Sequence, residues 1–290
     1  MLRRFFIGVS EGNMLSEQQF TSLRECALAF AHSSFTYLDF DAVEHYAVLT
    51  DSSECVLLAG EKPDAGVYEL HWGANDPTPV IRAAENAGRE TLVTFVPEEW
   101  KARFLASGFA EYGILREYWL EPLDKPFTPR IDCEPLTTAD AAEAAVVTQS
   151  CRLQSREFYG ESTEKIVNWI NAVYPEGNEN AFGAQHEAVL ACRDEAGKIA
   201  GVLLTAVYGY GESWGPVAWV REVAVLPEQQ GKGYGRALVE SALNYCRERG
   251  AVKAFLMADD CNAHAISLYR SIGFEPSDEV QIDLVFNKKG

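Results

Sequence analysis

The segment Val223-Ala224-Val225-Leu226-Pro227-Glu228-Gln229-Gln230-Gly231-Lys232-Gly233-Tyr234-Gly235-Arg236-Ala237-Leu238 runs from a β-branched stretch into alternating glycines and on into helical periodicity. The reading is a strand, a tight loop and a helix in immediate succession. Glycines let a backbone turn sharply and approach a ligand without a side chain in the way. Unpaired amides at a helix N-terminus, helped by the helix dipole, favour an anion. Such a loop suits a pyrophosphate, although a Gly-rich turn that merely joins strand to helix has the same local pattern. The spacing GxGxG is not the dinucleotide fingerprint GxGxxG, and the GK[ST] ending of a P-loop is missing.

Working outward, Gly235 to Arg249 has helical spacing, with Leu238, Ala242 and Tyr245 on one face, and Gly250 terminates it. Before it, strands are expected at Arg130–Pro135, Glu187–Arg193, Ile199–Tyr208 and Val217–Leu226. Asp194-Glu195-Ala196-Gly197-Lys198 turns a hairpin between the second and third. Helices are expected after Thr137-Thr138-Ala139-Asp140, to about Gln154, and over Thr163–Val173. After it come a strand Val252–Met257, a helix Ala263–Ser271 and a last strand Glu279–Phe286. The fold class is α/β, with a mixed sheet of the α+β kind.

A second motif closes this half: Asn262-Ala263-His264-Ala265-Ile266-Ser267-Leu268-Tyr269-Arg270-Ser271-Ile272-Gly273-Phe274. Asn262 is a good helix N-cap. Ala265, Leu268 and Tyr269 share a helix face. Gln230-Gly231-Lys232-Gly233-Tyr234-Gly235 resembles the [RQ]xxGx[GA] signature of the GCN5-related N-acetyltransferases (GNAT), and the second motif resembles their NxxAxxLYxxxGF hallmark. The resemblance covers about Arg130 to Gly290.

That resemblance implies an acetyl-CoA-dependent N-acetyltransferase, with acetyl-CoA as co-substrate and no metal. Amides from Gln230 through Gly231, Lys232, Gly233, Tyr234 and Gly235 to Arg236 would hold the CoA pyrophosphate. The backbone of Val223, Ala224 and Val225 would bind the pantetheine arm and the thioester carbonyl, next to a β-bulge usual in the family. Asn262 would touch CoA, and Tyr269 would act as general acid toward the CoA thiolate, or else be a core aromatic. Transfer from a phenol near ~10 to a thiolate near ~8.5 is uphill, so hydrogen bonding counts as much as proton transfer. The alternative is an acyl-CoA-binding regulatory module without turnover.

An amine acceptor needs a proton acceptor, and Glu222 on the strand leading into the loop is the candidate, against an ion pair with its neighbours or solvent exposure. Glu187 and Tyr208 are weaker candidates, and His264 reads as surface. Cys261 beside Asn262 is the cysteine to watch, but direct attack in a ternary complex is expected. The aromatic, Gly-rich stretch Tyr208–Gly215 is either cleft lining or a hairpin loop. The acceptor is expected to be a small-molecule amine or a peptide.

The first half echoes the second. Strands are expected at Glu54–Ala59, Val67–Trp72, Glu90–Val96 and Tyr112–Leu120, and helices at Pro79–Gly88 and Glu98–Ala106. Phe104-Leu105-Ala106-Ser107-Gly108-Phe109 resembles Tyr269–Phe274, with Phe104 in the tyrosine's place. Where the glycine loop should be stands Gly73-Ala74-Asn75-Asp76-Pro77-Thr78-Pro79, whose prolines donate no amide and whose Asp76 repels phosphate. This half is read as a degenerate GNAT-like domain, residues 1–125, beside a complete one, residues 126–290. The boundary is drawn at Glu121–Arg130, with three prolines in ten residues.

The 290 residues are ample for two domains, and a net charge of -18 argues against nucleic acid. The seven cysteines show no CxxC spacing, so neither a disulfide framework nor a zinc site is expected. Met1–Ser10 reads as a first strand rather than a signal peptide, because its apolar run is too short. No segment reaches the ~20 apolar residues of a membrane span, and a cytoplasmic protein is expected.

Overall fold

The computed structural model describes residues 15–62, 66–152, 154–155, 158, 160–173 and 183–287. The strand expected at Met1–Ser10 lies outside them. The chain forms two compact units, residues 1–112 with 281–290, and residues 113–280.

The first unit begins with α1 (Glu17–Leu28), β1 (His32–Ser33), α2 (Phe40–Val43), β2 (Ala47–Asp51), β3 (Cys55–Lys62) and β4 (Val67–Ala74). It continues through α3 (Thr78–Asn86), β5 (Thr91–Val93), α4 (Glu98–Ala106) and the start of β6 (Phe109–Leu120). Its strands run in the order β2-β3-β4-β5, with β4 and β5 parallel. α1 was not anticipated, although its capping box was legible: Ser16 and Gln19 bond each other reciprocally at the helix start.

The second unit contains β7 (Cys133–Pro135), α5 (Ala141–Ser150), α6 (Thr163–Asn171), β8 (Gln185–Arg193), β9 (Ile199–Tyr208) and β10 (Val217–Val225). α7 (Tyr234–Glu248), β11 (Lys253–Asp259), α8 (Ala263–Ile272) and β12 (Glu275–Phe286) follow. The order is β6-β11-β10-β9-β8-β7, and only β10 and β11 among these run parallel. β9 is buried along almost its whole length because both faces are covered. α7 packs one face through Leu238, Ala242 and Leu243. α5 and α6 cover the other through Ala141, Ala144 and Ile166.

Two observations bear on the organisation of the chain. The compact units divide within β6 and β12, not at the proline-rich stretch. Leu115–Leu120 of β6 pair with β11 of the second unit, whereas Leu284–Phe286 of β12 pair with β5 of the first. The proline-rich stretch is no free linker. Leu123 and Phe127 are tied into the second unit: the Leu123 amide donates to the Val252 carbonyl at 2.7 Å, and Phe127 exchanges hydrogen bonds with the Asn244 amide group. Leu123 itself is core.

The cysteine reading is also corrected. Cys133 and Cys192 form a disulfide, directly opposite each other on β7 and β8 with Cα atoms 4.4 Å apart. Strand pairing, not sequence spacing, brings them together. Cys55, Cys151 and Cys246 are buried and free. Among the described residues no helix is long and apolar enough to cross a membrane, and no cluster of three or more His, Cys, Asp or Glu could hold a metal.

Candidate active site

β10 carries a bulge. Its register against β9 slips between Val220 and Glu222, leaving Arg221 as the extra residue. Before the bulge, Val217–Trp219 pair with Lys253–Phe255 of β11. Beyond it, Glu222–Val225 pair only with β9, and Leu256–Asp259 of β11 pair with β6. Among the described residues the two parallel strands therefore part after Trp219 and Phe255. One backbone edge of Val223, Ala224 and Val225 is left without a strand partner.

That edge leads into the glycine loop. Pro227–Gln229 make one 3-10 turn. The Gln230 side chain then donates to the Val225 carbonyl at 3.0 Å, tying the loop back to the strand end. Gly231 and Gly233 have φ of +75° and +96°, values that L side chains adopt at a penalty. The first helical bond of α7 runs from the Ala237 amide to the Gly233 carbonyl, so the amides of Gly233, Tyr234, Gly235 and Arg236 have no helical acceptor. Among the described residues no side chain caps this end. Among the described residues, a Cβ on Gly231 would meet nothing within 4 Å. Gly235 is small for another reason: its Cβ would lie 3.3 Å from Leu268 of α8. Lys232 reaches Gln229 at 2.9 Å. The Arg236 guanidinium is committed to Glu240 at 3.1 Å and to Ser271.

α8 starts as its sequence predicts, with the Asn262 side chain accepting from the Ala265 amide at 3.2 Å. Tyr269 is 8% exposed and packs edge-on against Phe274. No hydrogen-bond partner of its hydroxyl is found among the described residues, and burial alone pushes its pKa up to about 12. Giving that proton outright to a thiolate near ~8.5 would cost about 5 kcal/mol. A hydroxyl raised this far stays protonated near neutral pH and can donate a hydrogen bond.

Glu222 is not an exposed strand carboxylate. Its side chain is 10% exposed and lies 3.7 Å from Arg221. Arg221 in turn donates to Glu161 at 2.6 Å. Burial, followed by the Glu161 charge, pushes Glu222 up to about 8, with Arg221 pulling the other way. Burial would also raise Glu161, but the Arg221 charge and hydrogen bond outweigh it and hold Glu161 below the ordinary carboxylate range. Trp169 of α6 places an indole face 5.0 Å from the Arg221 guanidinium, and Trp219 lies 6.0 Å from it. Cys151, at the end of α5, donates to the Val225 carbonyl at 3.1 Å. Its thiol is pushed up by burial, which keeps it protonated and a poor nucleophile.

Glu161, Arg221 and Trp169 were missed in the sequence reading. Gly160 next to Glu161 is the one local hint, since its Cβ would come within 2.7 Å of Gln149 Cα. Of the weaker candidates, Glu187 is raised by burial, with Oε1 buried and without a hydrogen-bond partner. Tyr208 is pushed up to about 12 by burial and Glu117. Neither shares a described contact with Glu222. His264 and Cys261 are both exposed on or beside α8. The Tyr208–Gly215 loop is packed down: Tyr210 donates to the Arg249 carbonyl, and Trp214 covers Tyr208 and Gly209.

Residues 148–274 match the model of the acetyltransferase (GNAT) family. A mycothiol acetyltransferase from Thermobispora bispora is 39% identical over 82 residues, covering 28% of this chain and 28% of its own. A streptothricin acetyltransferase from Streptomyces lavendulae is 39% identical over 62 residues, covering 21% of this chain and 33% of its own. The chain thus spans about a third or less of the length of the curated relatives it matches. Among solved structures, a tandem GNAT protein from the clavulanic acid biosynthesis pathway superposes with a TM-score of 0.55 at 15% identity, covering 92% of this chain and 93% of that one. A GCN5-related N-acetyltransferase from Sphaerobacter thermophilus gives 0.55 at 14% identity, over 82% and 81%. At these identities the likeness is one of fold.

Proposed function

We propose that this chain, whose residues 148–274 are a GNAT domain, transfers the acetyl group of acetyl-CoA to a primary amine by direct attack in a ternary complex. The observation that carries the reading is continuous: a strand edge freed by a bulge runs straight into an amide-lined helix start. The amides from Gln230 to Arg236 bind the CoA pyrophosphate. The backbone of Val223, Ala224 and Val225 takes the pantetheine arm and the thioester, and Asn262 touches CoA. Tyr269 offers its hydroxyl to the leaving thiolate, and Glu222 accepts the proton of the amine.

Glu222 suits that task because a base with a pKa near 8 is far better matched to an alkylammonium than an ordinary carboxylate. The buried, protonated Cys151 is a poor candidate for an acetyl-enzyme. The names of the relatives concern small molecules, mycothiol and streptothricin, which favours a small-molecule acceptor over a peptide. A cytoplasmic location goes with this reading, and the Cys133–Cys192 pair would be reduced there.

The test is calorimetric titration with acetyl-CoA followed by a thiol-release assay over a panel of amines. Binding with amine-dependent thiol release is expected. Binding with no release on any amine favours a regulatory acyl-CoA-binding module. No binding overturns the proposal.

A further inference from the structure

We propose that Glu161 is a positioning residue for the transfer, which holds a proton in common with Glu222 across Arg221 and offers it a way out toward Lys165 and solvent. This rests on the reading of Glu222 as the base.

The structure places Glu161 with unusual care. Its amide donates to Thr148 Oγ1 at 2.8 Å, and its carbonyl accepts from Gln149 Nε2 at 3.0 Å, so both sides of its backbone are pinned to α5. Gly160, at φ +76°, permits that close approach. The side chain, 6% exposed, then meets Arg221, the residue that the bulge pushes out of register. The guanidinium also stands over the indole rings of Trp169 at 5.0 Å and Trp219 at 6.0 Å. Trp169 is itself fixed by donating to the carbonyls of Ala188 at 3.2 Å and Thr205 at 3.3 Å.

One guanidinium thus stands among two buried carboxyl groups. Among the described residues, neither Glu161 Oε2 nor Glu222 Oε1, both buried, has a hydrogen-bond donor. Two such oxygens are satisfied together if one carboxyl carries a proton, and a buried polar atom left unpaired is costly. Among the described residues, the groups that face Glu222 are Arg221 on its own strand, Glu161 just before α6, Lys165 in its first turn, and Cys151 at the end of α5. Lys165, 66% exposed and 3.9 Å from Glu161 Oε2, marks the side open to water.

The chemistry needs such an outlet. An alkylammonium loses one proton before it attacks. Its nitrogen loses a second as the C–N bond forms and the C–S bond breaks. One of the two ends on the CoA sulfur, and the other has to reach water. Glu161's charge also matters to the first transfer. From an alkylammonium near ~10.4 to a carboxylate near ~4.3 the step is unfavourable by about six powers of ten. A base raised to about 8 leaves only about two or three.

The test is the pH profile of kcat/KM for the amine in Glu161→Gln. Without the neighbouring charge, Arg221 serves Glu222 alone. The expected result is that the acidic limb moves down by at least one pH unit, the rate above pH 9 falls at least tenfold, and KM for acetyl-CoA stays within twofold. Glu161→Asp restores the limb. A limb that does not move, or a rate lowered equally at every pH, overturns the proposal. Should Glu161→Gln not fold, infrared spectroscopy of the wild-type protein decides. A protonated-carboxyl band at pH 7 that fades by pH 9 and is missing from Glu222→Gln supports the shared proton, and no such band refutes it. The band is read without turnover, so loss of acetyl-CoA binding would sink the acetyltransferase reading and leave this one still testable.

Discussion

The two units offer the same architectural opportunity and use it differently. In the second, β10 and β11 pair in parallel, part after a bulge, and lead into a helix whose first amides are open. In the first, β4 and β5 also pair in parallel, over Tyr68–Leu70 and Thr91–Val93. Yet β4 keeps unbroken register with β3 from Val67 to Ala74. The fully buried Trp72 then reaches across and donates its indole N–H to the Thr94 carbonyl at 3.0 Å. At the start of α3 a carboxylate of the chain itself sits on the helix amides. Asp76 accepts from the Thr78 amide at 2.8 Å, is paired with Arg103 at 2.7 Å, and is held well below the usual carboxylate range by those bonds. Pro77 and Pro79 donate nothing there.

The ends of the units match more closely. Phe104 lies edge-on to Phe109, as Tyr269 does to Phe274, and Gly108 and Gly273 both turn with positive φ. What separates the pair is one hydroxyl. Two units can thus keep similar packing at this end while one of them covers its helix start with its own side chains.

Three changes test that contrast. The largest effect is expected from Gly233→Trp, which puts a side chain at φ +96° before the helix amides. CoA affinity should fall by about a hundredfold or more, at least ~2.7 kcal/mol, in calorimetry. Unchanged affinity would make the loop as inert as its counterpart Asn75–Pro77. Next comes Tyr269→Phe, which gives the second unit the residue of the first. Turnover should drop by about 30-fold, below the full range for acid–base catalysis because the hydroxyl serves as a hydrogen-bond donor. Acetyl-CoA affinity should stay within twofold. A fully active variant would remove the hydroxyl from the mechanism. The smallest effect is expected from Asp76→Asn. It removes the resident anion but leaves the prolines and Trp72 in place, so calorimetry should still count one CoA per chain. A second equivalent would show that Asp76 alone closes the first unit.

The legible parts of the site were the local ones. The strand Ile199–Tyr208 and the helix Glu98–Ala106 fall where periodicity puts them. Other local elements went unread, among them α1 with its Ser16–Gln19 box and the strand Ala47–Asp51. The last turn of α6 was less legible: the helix expected through Val173 stops at Asn171, where Ala172 takes a left-handed conformation.

The sequence by itself determined the glycine loop, the Asn262 cap, the tyrosine–phenylalanine contrast and the blocked loop of the first half. Each depends on backbone preferences and neighbours within a few residues. The tertiary structure alone decided which unit each of β6 and β12 serves, the pairing of Cys133 with Cys192 across 59 residues, and the bulge at Arg221. It also decided the character of Glu222, because Glu161 meets Arg221 from 60 positions away. A carboxyl group's proton affinity is set by what surrounds it in space, and no spacing along the chain records that.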